Sequence, residues 1–196
     1  MEKEIMDQNQ ENKNTKKNAL KSFFAYFIPL VALALLLRFF VFQPYVVSGE
    51  SMVPNYHNGE YLIVQKIAAL SHKYYRGDVV VLKNPENTRE VFLKRVIGLP
   101  GEIIEIKKDQ ILISNNEHPG GYVLNEPYIN TEIIGSITNS QTYNLDNNHY
   151  FVMGDNRTNS IDSRSFGPID KNLIIGKIWS QMPSFLNFDM FKRPVY

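Results

Sequence analysis

From Ser22 to Phe42 the chain reads SFFAYFIPLVALALLLRFFVF, 21 residues in which Arg38 is the only charge. As a helix rising about 1.5 Å per residue, such a run is roughly 32 Å long, close to the thickness of a bilayer's hydrocarbon core. It is apolar all round and so has no polar face to turn toward water, unlike the shorter amphipathic helices of soluble cores. Pro29 is compatible with a membrane helix because neighbouring groups re-satisfy the carbonyl that it frees. Arg38 lies near the far end, within snorkelling reach of the headgroups. A cleaved secretion signal carries a shorter apolar region, about 7–15 residues, before a small-x-small site. Here only Val46-x-Ser48 faintly matches such a site. The run therefore predicts a transmembrane helix over residues 22–43.

The flanks of this run predict an orientation. Lys13, Lys16, Lys17 and Lys21 precede it, whereas residues 43–62 contain no Lys or Arg. The positive-inside bias then places the N-terminal arm in the cytoplasm and residues 44–196 outside. Residues 1–21 are rich in Glu, Gln, Asn and Lys without apolar periodicity, so they cannot bury enough surface to offset the entropy of ordering, and disorder is expected.

Beyond the run the period changes to two. Glu60–Lys66, Asp78–Lys83, Glu90–Ile97, Glu102–Lys107, Gln110–Ser114, His149–Met153 and Asn172–Gln181 read as short strands. Asn58-Gly59, Arg76-Gly77, Pro100-Gly101 and Gly120-Gly121 punctuate them as turns. No 10–15-residue helical pattern separates the strands, so an antiparallel β-barrel or sandwich is expected rather than a parallel α/β sheet. Lys108-Asp109 reads as the tip of a hairpin, and the polar, Asn-rich residues 115–148 as an extended β insertion leaving the main sheet.

Composition removes several chemistries. The 21 Lys and Arg against 20 Asp and Glu provide no basic excess for nucleic acid, so no such partner is expected. The absence of Cys excludes thiol nucleophiles, disulfides and Cys-ligated metals. His57, His72, His118 and His149 are scattered, without HxxxH or HExxH spacing, and no Gly-rich phosphate cradle exists, so neither a metal site nor a nucleotide cofactor is predicted. A hydrolase built from this chain would need Ser or Thr activated by Lys or a carboxylate.

Three segments could supply that chemistry. Ser51 lies in YVVSGESMVPN, where an apolar run breaks at Gly49. A serine in such a turn can present its hydroxyl beside converging backbone N–H groups, and it is equally a common turn residue. Lys94 lies in VFLKRVIG, where alternation sends Lys94 and Arg95 to opposite faces of an apolar strand. A lysine desolvated there loses affinity for its proton and becomes a candidate base; an exposed edge position would only discourage aggregation. The third segment, GDNRTNSIDSRSFG (154–167), packs Asp155, Arg157, Ser160, Asp162 and Arg164 into fourteen residues. It reads either as a solvated loop or as a supporting shell in which Asp162 pairs with Arg164.

The order anchor, SGESMVP, FLKRVIGLPG, GDNRTNSIDSRSFG resembles that of bacterial type I signal peptidases, the membrane-bound Ser-Lys proteases that remove signal peptides from exported preproteins. The resemblance implies Ser51 as nucleophile and Lys94 as general base. It further implies Ser160 as the hydroxyl orienting that lysine, Asp162 with Arg164 as a structural ion pair, and Asp155 and Arg157 in supporting roles. Gly49 stands where Gram-negative members carry an oxyanion-site serine, so backbone N–H groups, that of Ser51 included, would form that site as in Gram-positive members. Asn55 replaces the usual Thr. Substrate would bind as an added strand near Tyr45–Ser48 and Val91–Lys94, with Val47, Ser48, Met52, Phe92 and Leu93 about shallow pockets that admit Ala. The implied partners are signal peptides, the lipid bilayer and the nearby export machinery, with no cofactor. Two other serine-lysine chemistries fit less well: an SxxK acyl transferase needs Lys at position 54, which is Pro, and a self-cleaving repressor needs a DNA-binding domain where this chain has its apolar run. An anchored β-domain that binds export substrates without cutting them is the non-enzymatic alternative.

Overall fold

The computed structural model describes residues 20–35, 41–107, 110–129, 140–182 and 189–190. The chain divides into two units, Met1–Val41 and Phe42–Tyr196. In the first, residues 20–35 form helix α1, with Phe23 and Phe27 stacked one turn apart at 5.3 Å between ring centroids. Among the described residues no helix is long and apolar enough to cross a membrane. Most of the polar arm, together with residues 36–40 and hence Arg38, lies outside them. The expected span runs to residue 43, whereas Phe42 already begins strand β1, Phe42–Val46. There it pairs with Gln65, and its ring lies 4.9 Å from that of Trp179.

The second unit is mostly β, and every strand pairing in it is antiparallel, as the period-two pattern predicts. In chain order follow β2 (Tyr61–Gln65), α2 (Ile67–Ser71), β3 (Val79–Lys83), β4 (Val91–Gly98), β5 (Ile103–Lys107) and β6 (Gln110–Ser114). Then come β7 (Tyr122–Val123), β8 (Gln141–Asn144), β9 (His149–Met153), α3 (Ser163–Phe166), β10 (Ile169–Asp170), β11 (Ile174–Met182) and β12 (Asp189–Met190). The larger sheet runs β1-β2-β11-β3-β4-β9-β10, with β12 also on β11; the smaller runs β7-β6-β5-β8. Among the described residues the larger sheet does not close on itself, so it is an open sheet joined to a second one rather than a closed barrel. Lys108-Asp109, the expected hairpin tip, lies outside the described residues; β5 and β6 pair antiparallel, with Lys107 opposite Gln110. Where described, residues 115–148 supply β7 and β8 to the smaller sheet.

Burial follows the sequence pattern. Strand β11 alternates buried and half-buried residues along its length, as a strand with one covered face should. Strand β3 instead reads VVVL, all four buried, because both of its faces are covered. Val80 and Leu82 pack with Val96, Val152 and Ile169, while Val79 and Val81 pack with Met52, Tyr56, Leu62 and Ile178. Ile104, Ile106, Ile111 and Ile113 of the smaller sheet close a third cluster on Ile97, Phe151 and Met153. Strand β4 and its partners are thereby held between packed layers, where a charged side chain has little water to reach.

Candidate active site

Ser51 sits in the loop that leaves β1 and returns to β2. The Val47 N–H donates to the Glu60 carbonyl, and the Gly59 N–H to the Val47 carbonyl, each at 2.9 Å, closing the loop at its base. Within it the Asn55 and Tyr56 N–H groups both donate to the Met52 carbonyl at 3.0 Å, and buried Met52 and Tyr56 pin the turn to the core. Gly49 has φ +95°, a region costly for any residue with a side chain, and its N–H donates to Asn58 Oδ1 at 3.0 Å. Ser51 follows two residues later, half-buried.

Lys94 reaches this serine from the neighbouring strand. Its register on β4 places it opposite Val80 of buried β3, and the residue is only 3% exposed. Its Nζ lies 2.8 Å from Ser51 Oγ and 5.3 Å from the Phe92 ring centroid. Burial pulls its pKa down to about 8; the charges of Asp162 and Asp155 push it up, and that of Arg164 lowers it further.

The segment 154–167 holds both partners in place. The Asn156 N–H donates to the Ser51 carbonyl at 3.0 Å and its Nδ2 to the Glu50 carbonyl at 3.1 Å. At Gly154 the backbones come so close that an added Cβ would collide with the Ser51 carbonyl and the Ser160 hydroxyl. Asp155 takes a two-pronged ion pair from buried Arg95, Nε to Oδ1 at 2.7 Å and Nη2 to Oδ2 at 2.5 Å. Arg164 pairs with Asp162 in the same way, at 2.8 and 2.7 Å. Burial raises the Asp162 carboxyl, but the Arg164 guanidinium and the Gly154 N–H, donating at 2.9 Å, outweigh it and hold the pKa below the usual carboxylate range.

The geometry thus gathers Ser51, Lys94, Asp155, Asp162 and Arg164 around one point. Ser160 lies beside Gly154; no bond links its buried Oγ to Lys94, and its hydroxyl instead faces Asp162, adding to the interactions that hold that carboxyl's pKa down. Val47, Met52 and Leu93 share one cluster, Met52 being 1% exposed; Phe92 goes to the other side of β4 and stacks on Phe166 at 6.3 Å between ring centroids. Ser48 is exposed. Among the described residues no group of three or more His, Cys, Asp or Glu is arranged to hold a metal.

Sequence reading had not given Arg95, Asn156, Glu126 or Tyr128 a part in the site. Arg95 carried a signal: a cation pointing away from Lys94 inside an apolar strand needs a buried counter-charge, and Asp155 is sixty residues away. Asn55 gains an explanation, since its Nδ2 donates to Asp155 Oδ2 and to the Tyr128 carbonyl, both at 2.8 Å. A threonine has no amide to make both bonds.

Comparison with known proteins gives the family. Residues 20–182 match the family described as signal peptidase, peptidase S26. A signal peptidase I of Bacillus licheniformis is 37% identical over 175 residues, covering 85% of this chain and 90% of that protein. Signal peptidases I T and I S of Bacillus subtilis (strain 168) are 38% and 40% identical over 181 and 169 residues, with the same coverage. A crystal structure of a signal peptidase I from Enterococcus faecalis V583 aligns at 30% identity over 54% of this chain and 96% of that one, with a TM-score of 0.44. On the sequence matches, the chain belongs to the signal peptidase family, peptidase S26, and its activity is that of a signal peptidase I, a serine endopeptidase.

Proposed function

We propose that Ser51 is the nucleophile and Lys94 the general base of this peptidase, acting on signal peptides of exported preproteins. The observation that carries the reading is the 2.8 Å approach of Lys94 Nζ to Ser51 Oγ at a residue 3% exposed. With a pKa of about 8, roughly one Lys94 in ten is neutral at pH 7, which costs about 1.4 kcal/mol of availability. An ordinary lysine would sacrifice more than three times as much.

The neutral amine accepts the Ser51 proton as Oγ attacks the scissile carbonyl, giving a tetrahedral oxyanion. No acceptor among the described residues takes the Ser51 N–H, which leaves it available to that oxyanion, while the Gly49 N–H is engaged by Asn58. The Lys94 ammonium then protonates the departing amine, leaving an acyl-enzyme, and the regenerated amine activates the water that hydrolyses it. These steps call on no metal or organic cofactor. In this reading Ser160 steadies the amine once substrate has excluded water, and the Asp162–Arg164 and Asp155–Arg95 pairs fix the walls.

Substrate has a place to bind as a strand. Strand β4 pairs with β9 only from Arg95 onward, so Val91–Lys94 keep one unpaired edge, and β1 ends the sheet on its outer side. A peptide along that edge passes Lys94, with Val47 and Leu93 on one side of β4 and Phe92 on the other. The apolar run is the anchor, with the arm cytoplasmic and the peptidase domain outside beside the export machinery, where signal peptides emerge. Its support is the length of the run and its lysine flank.

The test is cleavage of an exported precursor by the full chain purified in detergent. Wild type should release the mature protein, whereas Ser51→Ala and Lys94→Arg should not, since arginine retains the charge but cannot give up its proton. Substantial processing by either variant overturns the assignment.

A further inference from the structure

We propose that Glu126 and Tyr128 are positioning residues for the nucleophile, clasping the 154–157 turn and β4 from the segment that follows β7 of the smaller sheet. The proposal builds on Ser51 and Lys94 as the reacting pair. Neither residue lies in the segments that carry the family resemblance; both belong to 115–148, which the sequence marks only as an insertion.

The clasp is anchored at one end. The Leu124 N–H donates to the Ile111 carbonyl at 2.8 Å, and its side chain is buried in the smaller sheet's core. Two residues on, the Glu126 carboxylate receives both terminal nitrogens of Arg157, Nη1 to Oε2 at 2.7 Å and Nη2 to Oε1. The Tyr128 hydroxyl also donates to Oε1, at 2.7 Å. The Glu126 and Arg157 side chains are 12% and 8% exposed, and Arg157 Nε donates to the Gly154 carbonyl at 3.2 Å. The Tyr128 ring lies 4.0 Å from the Arg95 guanidinium carbon, one residue beyond Lys94, and its carbonyl accepts from Asn55, four residues beyond Ser51.

These contacts converge on the parts that set the distance between Ser51 and Lys94. Glu126 fixes Arg157 and, through it, Gly154. The same turn holds Ser51 by way of the Asn156 N–H, while Tyr128 bears on Arg95 and Asn55. A buried ion pair contributes little net stability compared with apolar side chains of the same volume, but it fixes a direction. Fixed direction is what a proton transfer over 2.8 Å demands, because a displacement of about 1 Å can cost on the order of a hundredfold in rate.

The experiment compares the full chain in detergent with its Tyr128→Phe, Tyr128→Leu, Glu126→Gln and Ser51→Ala variants, measuring kcat and KM on a precursor well below each melting temperature. Tyr128→Leu and Glu126→Gln should lose about tenfold or more in kcat with KM within about twofold. Tyr128→Phe keeps the ring over Arg95 and should rescue kcat to within about threefold. A rise in KM at unchanged kcat overturns the proposal in favour of substrate binding, and a fallen melting temperature with unchanged kcat overturns it in favour of a structural role. If Glu126→Gln fails to fold, the Tyr128 pair decides alone. Cleavage by Ser51→Ala refutes the nucleophile assignment and the clasp with it. Inactive Ser51→Ala beside fully active Tyr128→Leu removes the clasp only.

Discussion

Replacing Lys94 by methionine should abolish cleavage and yet make the folded protein more stable at neutral pH. Burial holds the Lys94 pKa at about 8, against 10.5 for the free side chain, a depression of about 2.5 units. At about 1.4 kcal/mol per unit, folding is penalised by about 3 kcal/mol whenever the buried amine must carry its proton. The sign follows from proton counts. Between about pH 8 and 10.5 the unfolded chain holds a proton that the folded chain has released, so stability rises with pH across that window. Below pH 8 both states are protonated and the penalty is complete. Methionine fills a similar volume without charge, at the cost of the hydrogen bond to Ser51, about 1 kcal/mol. The net gain should be about 2 kcal/mol at pH 7, shrinking to near zero at pH 10, read from urea unfolding of the full chain in detergent. A variant less stable than wild type at pH 7, or a gain identical at both pH values, would refute the idea that the site holds a desolvated amine.

With Lys94 as the proposed base, kcat/KM of wild type should rise with pH through an ionisation near 8; a rise complete by pH 5 would assign the base to a carboxylate. Gly154→Ala should cut kcat by about a hundredfold, since its methyl group would displace the Ser51 carbonyl, and near-normal turnover would show that the close approach is dispensable. Asp155→Asn leaves buried Arg95 without its counter-charge and should destabilise the protein by about 3–5 kcal/mol, measured by urea unfolding; a loss below about 1 kcal/mol would contradict the burial of that pair. Ser160→Ala removes no bond to Lys94 at rest and only a contact with the Asp162 carboxylate that falls short of full hydrogen-bond geometry, so the melting temperature should change little while kcat falls about tenfold; unchanged kcat would show that the hydroxyl does not steady the amine.

Seven strands were legible because each combines β-branched residues with turn chemistry at both ends. Gln110–Ser114 and His149–Met153 match the observed limits, whereas Asn172–Gln181 stops one residue short of Met182 and begins where Lys171–Leu173 forms a 3₁₀ turn instead. The two-residue strands β7 and β10 offer no period to read, and β1 was hidden because its apolar residues continue those of α1. Helix α2 contributes one buried residue, Ala68, too few for a helical stripe. At the site, Ser51, Lys94, Asp162 and Arg164 stood out through their local sequence. Glu126 and Tyr128 did not, because their partners Arg157 and Arg95 lie about thirty residues away in a polar segment that looks solvated until it is folded.

The paired charges around Lys94 also amount to a parity. Arg95 is matched by Asp155, Arg157 by Glu126 and Arg164 by Asp162, one carboxylate for each guanidinium. No member of this set is left over for a fourth cation, so a proton on Lys94 is a charge defect in an otherwise neutral cluster. Editing the members whose charges bear on Lys94 moves the defect's energy: loss of Arg164 frees a carboxylate and strengthens the amine's hold on its proton, while loss of Asp162 or Asp155 weakens it. With Lys94 as the proposed base, the acidity range in which the peptidase works is then adjustable from residues beside the reacting pair, without any change to Ser51 or Lys94.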